Sequence, residues 1–378
     1  MGFRNGCRPL LGLDGCHLKG PYGGQLLAAV ATDANDGMYP LAWAVVETEN
    51  NDSWNWFLES LKSDMWIEND GAFTFISDIQ KGLINALEAV FPNAEHRFCV
   101  MHLYRNMWKE HKGIGLSRKC FEWLSEKPRS QWYQSAFGNL CRSDMFVNNH
   151  CEVFNSIIRK YRDLPIISIL KAIHNDVMVR IQKRRDKMLN SYALNPVCPN
   201  AMRRLDKYLV IMSAGGYEMV VDLEAHNCVC KKWGLSGIPC YHACACIAWS
   251  KKPYEPFIHM SYTKDTFLEC YSNIVEPIVG ETEWTETPYP RPLPPEKKVQ
   301  PGRPKKNNAL TQAHDRANGC EKVVKVRTKT PKKPQMTSDG QDASTEAGGG
   351  GTTNEATFGV SKRTIAEDTQ GWGITKQK

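Results

Sequence analysis

Leu10–Gly20 reads LLGLDGCHLKG, and its middle decides the fold. Leu10, Leu11 and Leu13 form an apolar run of strand length, and Asp14 ends it, followed at once by Gly15. A carboxylate is costly to bury unless something pairs with it. Asp14 therefore either turns to solvent in a hairpin or is held for a cation. Outward from it, Gly12–His17 reads as a strand, QLLAAVAT (Gln25–Thr32) as a second and YPLAWAVVE (Tyr39–Glu47) as a third. DANDG (Asp33–Gly37) is a strong turn signal between the last two, which suggests an antiparallel hairpin or meander. Asn51-Asp52-Ser53 then caps a helix whose Trp54, Phe57, Leu58 and Leu61 fall at helical spacing. FTFI (Phe73–Ile76) is a fourth strand ending at Ser77-Asp78, KGLINALEAV (Lys81–Val90) a helix stopped by Phe91-Pro92, and Arg97–Met101 a fifth strand. This order predicts an α/β domain, a mixed sheet flanked by helices.

Two acids occupy comparable places in that order. Asp14 lies on the first strand and Asp78 at the C-terminal end of the fourth, where α/β sheets keep their chemistry. If the strands are neighbours the carboxylates converge, and each raises the other's pKa unless a cation neutralises them. Hard oxygen donors favour Mg²⁺ or Mn²⁺. The plainer alternative makes Asp78 a helix N-cap and Asp14 a turn residue.

Charge is unevenly spread along the 378 residues. Residues 1–295 hold 32 Lys and Arg against 32 Asp and Glu, whereas residues 296–333 hold 12 against 3. The basic excess belongs to a tail, which points either to a polyanion such as DNA or to a solubilising end. No signal peptide opens the sequence, and no apolar run reaches membrane-spanning length. Fourteen cysteines without a secretory signal indicate reduced thiols, some of them metal-bound.

NCVCKKWGLSGIPCYH (Asn227–His242) places Cys228, Cys230, Cys240 and His242 in a C-x-C-x9-C-x-H pattern. Three thiolates and an imidazole make a closed, tetrahedral, structural Zn²⁺ set. Tyr217–Leu223 alternates like a strand before it, and His242–Trp249 reads as a helix after it, carrying Cys244 and Cys246. Pro165–Tyr192 reads as one long amphipathic helix whose RIQKRRDK (Arg180–Lys187) is either a phosphate-tracking face or, preferably, a solvated one. The tail from Glu281 is Pro-rich, then basic, and is expected to be largely disordered. Its PGRPKK (Pro301–Lys306) fits an A/T-rich minor groove through Arg303 with Lys305 and Lys306, or serves as a nuclear localisation signal.

DGCHLKG (Asp14–Gly20), GGQLLAAVATDANDGMYPLAWAVVETENNDSWNWFLESL, ISDIQKGL (Ile76–Leu83) and FCVMHLYRN (Phe98–Asn106) together closely resemble plant Mutator-like transposases, from about Cys7 to about Gly302. The resemblance implies an RNase H-like catalytic domain with a DDE acid triad. It also implies DNA strand cleavage and transfer at element ends, two divalent metal ions, and a nuclear location. Asp14 and Asp78 match the first two acids. Glu152, within MFVNNHCEVFNSIIRKYRDLPI, is the choice for the third, with first-turn helix charge as the alternative. Cys99 and His102 match a C-x-x-H motif of related transposases, an accessory pair or else a buried thiol beside a histidine. The C-x-C-x9-C-x-H set looks like a SWIM zinc module.

The expected organisation is therefore a catalytic domain over 1–165, a helical connector over 166–210, the zinc module over 211–260 and the tail over 281–378. The expected partners are DNA, at element terminal repeats and through the tail, with homo-oligomerisation left open and no membrane. Two departures from the family pattern stand out: the DNA-binding zinc domain that commonly precedes the catalytic part is missing, and residues 110–121 look short. An inactive transposase-derived regulator, or a degenerate fragment, thus remains beside the enzyme.

Overall fold

The computed structural model describes residues 2–20, 23–111, 118–191, 195–212, 219–272 and 283. All of these belong to one unit of the chain. A short helix, α1 (Gly2–Gly6), leads into β1 (Cys7–His17), the middle strand of a five-stranded sheet. β2 (Gln25–Asp33) and β3 (Met38–Val46) continue from it as an antiparallel meander. After α2 (Asn51–Asp64), β4 (Thr74–Ser77) pairs with β1 in parallel. After α3 (Lys81–Val90), β5 (Glu95–Phe98) pairs in parallel with β4. The strand order β3-β2-β1-β4-β5, three antiparallel then two parallel, is the RNase H-like arrangement.

Both faces of this sheet are covered, which is why β1 and β2 read as nearly unbroken apolar runs. Leu11 and Leu13 pack with Leu27 and Ala29 against Trp54, Leu58, Leu83 and Leu87 of α2 and α3. The opposite face, with Cys16, Leu26, Ala28 and Val30, is covered by α7 (Asn149–Ile158) and α8 (Ile166–Ser191) through Phe154, Ile158, Ile169 and Ile173. Gly12 makes this second contact possible. A Cβ there would come within 2.4 Å of Asn148 Oδ1 and 2.9 Å of Cys151 Sγ.

In chain order α4 (Val100–Glu110), α5 (Arg118–Ser125) and α6 (Arg129–Trp132) come between β5 and α7. The expected fifth strand over Arg97–Met101 is shorter. β5 ends at Phe98, Cys99 is the cap residue with an extended backbone, and Val100 and Met101 already belong to α4. The first long helix is capped by Asn50, whose side chain accepts from Ser53 N, one residue earlier than the sequence indicated.

The expected connector is two helices, α8 and α9 (Pro199–Met212), with residues 192–194 between them outside the described set. Beyond them come a two-stranded ribbon of β6 (Val221–Asp222) and β7 (Asn227–Cys228), α10 (Lys232–Ser236), α11 (Tyr241–Trp249) and α12 (Lys264–Cys270). The expected strand over Tyr217–Leu223 reduces to β6; residues 213–218 lie outside the described residues, as do 112–117 in the short-looking stretch and 284–378 in the tail.

The Asp33–Gly37 turn joins these parts. Asp33 is fully buried, accepting from Asn35 N (2.8 Å), Gly37 N (2.7 Å) and Tyr271 Oη (2.7 Å) and pairing with Arg184 of α8. Asn200 of α9 donates to Asn35 through its backbone (2.8 Å) and its amide (2.6 Å). Asp36 pairs with Arg8 of β1 and with Arg204 of α9. The buried Arg8 guanidinium also donates to Tyr262 Oη, which itself donates to Ser236 O at 2.8 Å. Preferring a wholly solvated face for Arg180–Lys187 was therefore incorrect for two of its cations. Arg184 is held by Asp33, and Arg180 is buried and donates to Met38 O at 3.3 Å. Burial by itself would push the Asp33 carboxyl up; Arg184, Tyr271 and the two backbone amides outweigh it and hold the group below its usual range.

Candidate active site and metal centre

The β1–β4 ladder pairs Leu10 with Thr74, Leu11 with Phe75 and Gly12 with Ile76. The ladder ends there; two residues further along each stretch stand Asp14, still within β1, and Asp78, just past the end of β4. Burial and then the Asp78 charge push Asp14 up to about 7, and burial raises Asp78 against the pull of His102 and the Gln80 amide. Asp14 is fixed at both oxygens. Oδ1 accepts from Gly15 N at 2.9 Å and Oδ2 from Asn155 Nδ2 of α7 at 2.7 Å. Asn148 anchors the same helix to β1, its amide donating to Leu13 O at 2.9 Å.

The alternative role for Asp78 fails on geometry. The N-cap of α3 is Gln80, whose side chain accepts from Leu83 N. Asp78 Oδ1 instead accepts from Gln80 N at 3.2 Å, a tight local turn that leaves its other oxygen uncommitted to the helix.

A third acid that sequence reasoning missed stands beside the pair. Glu49 packs its carboxylate against Gly15, where a Cβ would meet Glu49 Cδ at 2.9 Å, and accepts from Trp54 Nε1 at 3.2 Å. Burial and then Asp78 raise its pKa. The available signal was the pairing of a glycine after Asp14 with an acid after β3, and neither is distinctive alone.

His102, on the first turn of α4, is raised by Cys99 and further by Asp14 and Asp78, so a cationic imidazole is favoured near the two carboxylates. Cys99 Sγ accepts from Asn148 N at 3.2 Å; against the upward push of burial, this bond and His102 hold the thiol below its ordinary value. Glu152 projects from α7 one turn before Asn155, but its carboxylate is half-exposed and faces Arg105 at 3.7 Å. Asp14 and Asp78 thus come together, His102 joins them, and Glu152 lies at the rim with Arg105.

The second constellation is closed. The ligating atoms of Cys228, Cys230, Cys240 and His242 all lie within 4.8 Å of one another, the one such group of three or more among the described residues. His242 Nδ1 is 3.6 Å from Cys228 Sγ and 3.9 Å from Cys240 Sγ. Tetrahedral Zn–S and Zn–N bonds of about 2.3 and 2.0–2.1 Å put sulfur and nitrogen about 3.6 Å apart, so the donor set fits Zn²⁺. Cys228 comes from β7, Cys240 caps α11 and His242 lies in its first turn. Trp233 supports the loop between them, buried, with Nε1 donating to Phe257 O at 3.1 Å. The turn after α10 needs Gly237, at φ +75°. Burial raises the Cys228 and Cys240 thiols, so a cation is what would hold them as thiolates.

The comparisons with known proteins agree with this division. Residues 10–106 match the MULE transposase domain and residues 208–247 the SWIM zinc finger. The first match includes Asp14, Asp78, Cys99 and His102 and stops short of Glu152. No curated protein matches the chain. Among solved structures, a Mos1 transposase catalytic domain with raltegravir and Mn is similar at 13% identity, covering 39% of this chain and 78% of that one, with a TM-score of 0.18. The catalytic domain of Mos1 mariner transposase is similar at 14% identity with the same coverage and a TM-score of 0.19. Overlaps this partial carry no argument; the RNase H-like fold rests on the strand order and directions above. No described helix is long and apolar enough to cross a membrane.

Proposed function

For a chain that carries a MULE transposase domain followed by a SWIM zinc finger, we propose DNA strand cleavage and transfer, dependent on divalent metal, at a centre built on Asp14 and Asp78. The observation that carries this reading is the parallel pairing of β1 with β4, which brings Asp14, within β1, and Asp78, just past the end of β4, close enough for the Asp78 charge to act on Asp14, with each partly desolvated.

The donor chemistry fits Mg²⁺ or Mn²⁺: carboxylate oxygens at a buried site that opposes their joint ionisation. When bound there, such an ion supplies Lewis-acid polarisation of a phosphate oxygen and a more acidic water or 3′ hydroxyl. The chain's own residues do the rest. Asn155 and Gly15 N orient the Asp14 carboxylate, and Glu49 adds negative charge from the opposite face of β1. His102 offers positive charge beside the acids, and exposed Arg105 is placed to take a phosphate. Glu152 completes the triad once Arg105 turns to the DNA and releases it.

Cys228, Cys230, Cys240 and His242 hold a structural Zn²⁺. The substrate is DNA at element terminal repeats, the working compartment is the nucleus, and Arg303, Lys305 and Lys306 of the tail add minor-groove contacts.

A second reading has one observation in its favour. Glu152 faces Arg105 instead of the aspartates, as suits a transposase-derived DNA-binding protein that no longer cleaves. Incubating end-labelled duplexes with the full chain and Mn²⁺ separates the two. The enzyme reading expects nicking that Asp14→Asn and Asp78→Asn abolish. DNA binding without nicking, or nicking unchanged in both variants, overturns it.

A further inference from the structure

α4 carries a surface that the acid centre does not use. Successive helical residues turn by about 100°, so the helix can be read as parallel rows. Leu103 and Met107 form the buried row. About a third of a turn round from it, Met101, Tyr104 and Trp108 are 43%, 52% and 52% exposed, and the last two rings stack with centroids 6.3 Å apart and planes 25° apart. Between this apolar row and His102 runs a row of exposed cations, Arg105 and Lys109. From one edge to the other the surface is therefore rings, cations, imidazole, carboxylates.

Large aromatic side chains stacked in the open mark an interaction site. The order of the rows selects the occupant. A polynucleotide strand has phosphates along one side and flat bases along the other, at a spacing that side chains of one helix can span. A backbone following Arg105 and Lys109 towards the acids turns its bases onto Tyr104 and Trp108. In an intact duplex those base faces are hidden by stacking, so the strand that fits is unpaired. We propose that Met101, Tyr104 and Trp108 form a stacking platform for unpaired bases next to the phosphate held at the acid centre. The proposal rests on reading Asp14 and Asp78 as a DNA-processing centre, and it adds that the DNA is locally single-stranded there.

The test uses the full chain and two DNA probes: a blunt duplex, and the same duplex with a single-stranded 3′ extension containing 2-aminopurine. Affinity is read by anisotropy and stacking by quenching of 2-aminopurine. The wild type is expected to prefer the extended probe and to quench it. The paired substitution Tyr104→Ala with Trp108→Ala should weaken the extended probe at least about tenfold and abolish quenching, with blunt-duplex affinity unchanged. Trp108→Phe should restore most of both, and it guards against a folding defect in the double variant. Equal affinity of wild type and double variant for the extended probe refutes the platform, as does equal loss on both probes or an unquenched base in the wild type. Mn²⁺-dependent nicking is scored separately with Asp14→Asn, so a protein that stacks bases without nicking removes the enzyme reading and leaves the platform.

Discussion

Replacing Asp33 by Asn tests the packing of the later helices onto the five-stranded sheet. The substitution keeps the shape, and Oδ1 still accepts from Asn35 N and Gly37 N. The other oxygen becomes an amide that faces two donors, Arg184 Nη1 and Tyr271 Oη. Removing one member of a buried ion pair costs about 3–5 kcal/mol. The Arg184 side chain is 25% exposed against 0% for Asp33, so water reaches the stranded cation and the low end, about 3 kcal/mol, applies. The shift per kcal/mol shrinks with size, to about 2 °C at the top of the 150–250-residue range, so for this larger protein the expected fall is about 4–6 °C. Circular dichroism melts at neutral pH read it directly. The pH dependence has a definite sign. Asp33 has a native pKa below the unfolded value of 3.8. Its contribution is whole above 3.8 and disappears as pH falls through the native value, so wild type and variant should converge on acidification. A Tm within about 2 °C of wild type at neutral pH, or a gap that persists in acid, would refute the reasoning.

Further expectations follow from the two sites and the tail. Purified protein should carry about one Zn²⁺ per chain, and Cys240→Ser should lose both the metal and thermal stability; elemental analysis showing full zinc in that variant sinks the assignment. Asp14 has a native pKa raised from 3.8 to about 7, so its ionisation costs the metal-free protein stability that falls away between those pH values and stays lost above them. Asp14→Asn should therefore melt higher than metal-free wild type at pH 8 and level with it near pH 4, and the opposite order contradicts the electrostatics. Deleting residues 296–333, a stretch with 12 Lys and Arg against 3 acids, should weaken DNA binding and flatten its dependence on salt; an unchanged slope removes the tail as the main phosphate contact.

How much was legible beforehand depended on how local each cause was. Strand identity came from apolar runs that the buried sheet requires, and the approach of Asp14 to Asp78 from their places on the first strand and at the end of the fourth. The Cys228, Cys230, Cys240 and His242 cluster was legible because its C-x-C-x9-C-x-H spacing lets four donor atoms close on one point. The exit from β5 was not, since Val100 and Met101 suit strand or helix equally and Cys99 decides the matter through its backbone. Gln80 as the cap of α3 was hidden because Asp78 is the better capping residue by type, and only the structure shows it turned elsewhere. The DANDG turn was plain, but its task was not. Nothing near Asp33 in sequence foretells Arg184, Asn200 and Tyr271, which reach it from far along the chain. Glu49 was missed for a similar reason: its place beside Asp78 depends on a glycine in another strand.

The central claim, that Asp14 and Asp78 form a divalent-metal centre, is met most directly by titrating Mn²⁺ calorimetrically into zinc-loaded protein with a DNA duplex present, wild type against Asp78→Ala. The account predicts saturable Mn²⁺ binding in the wild type that the variant lacks. Binding of equal strength in both, or none in the wild type with DNA bound, would contradict it.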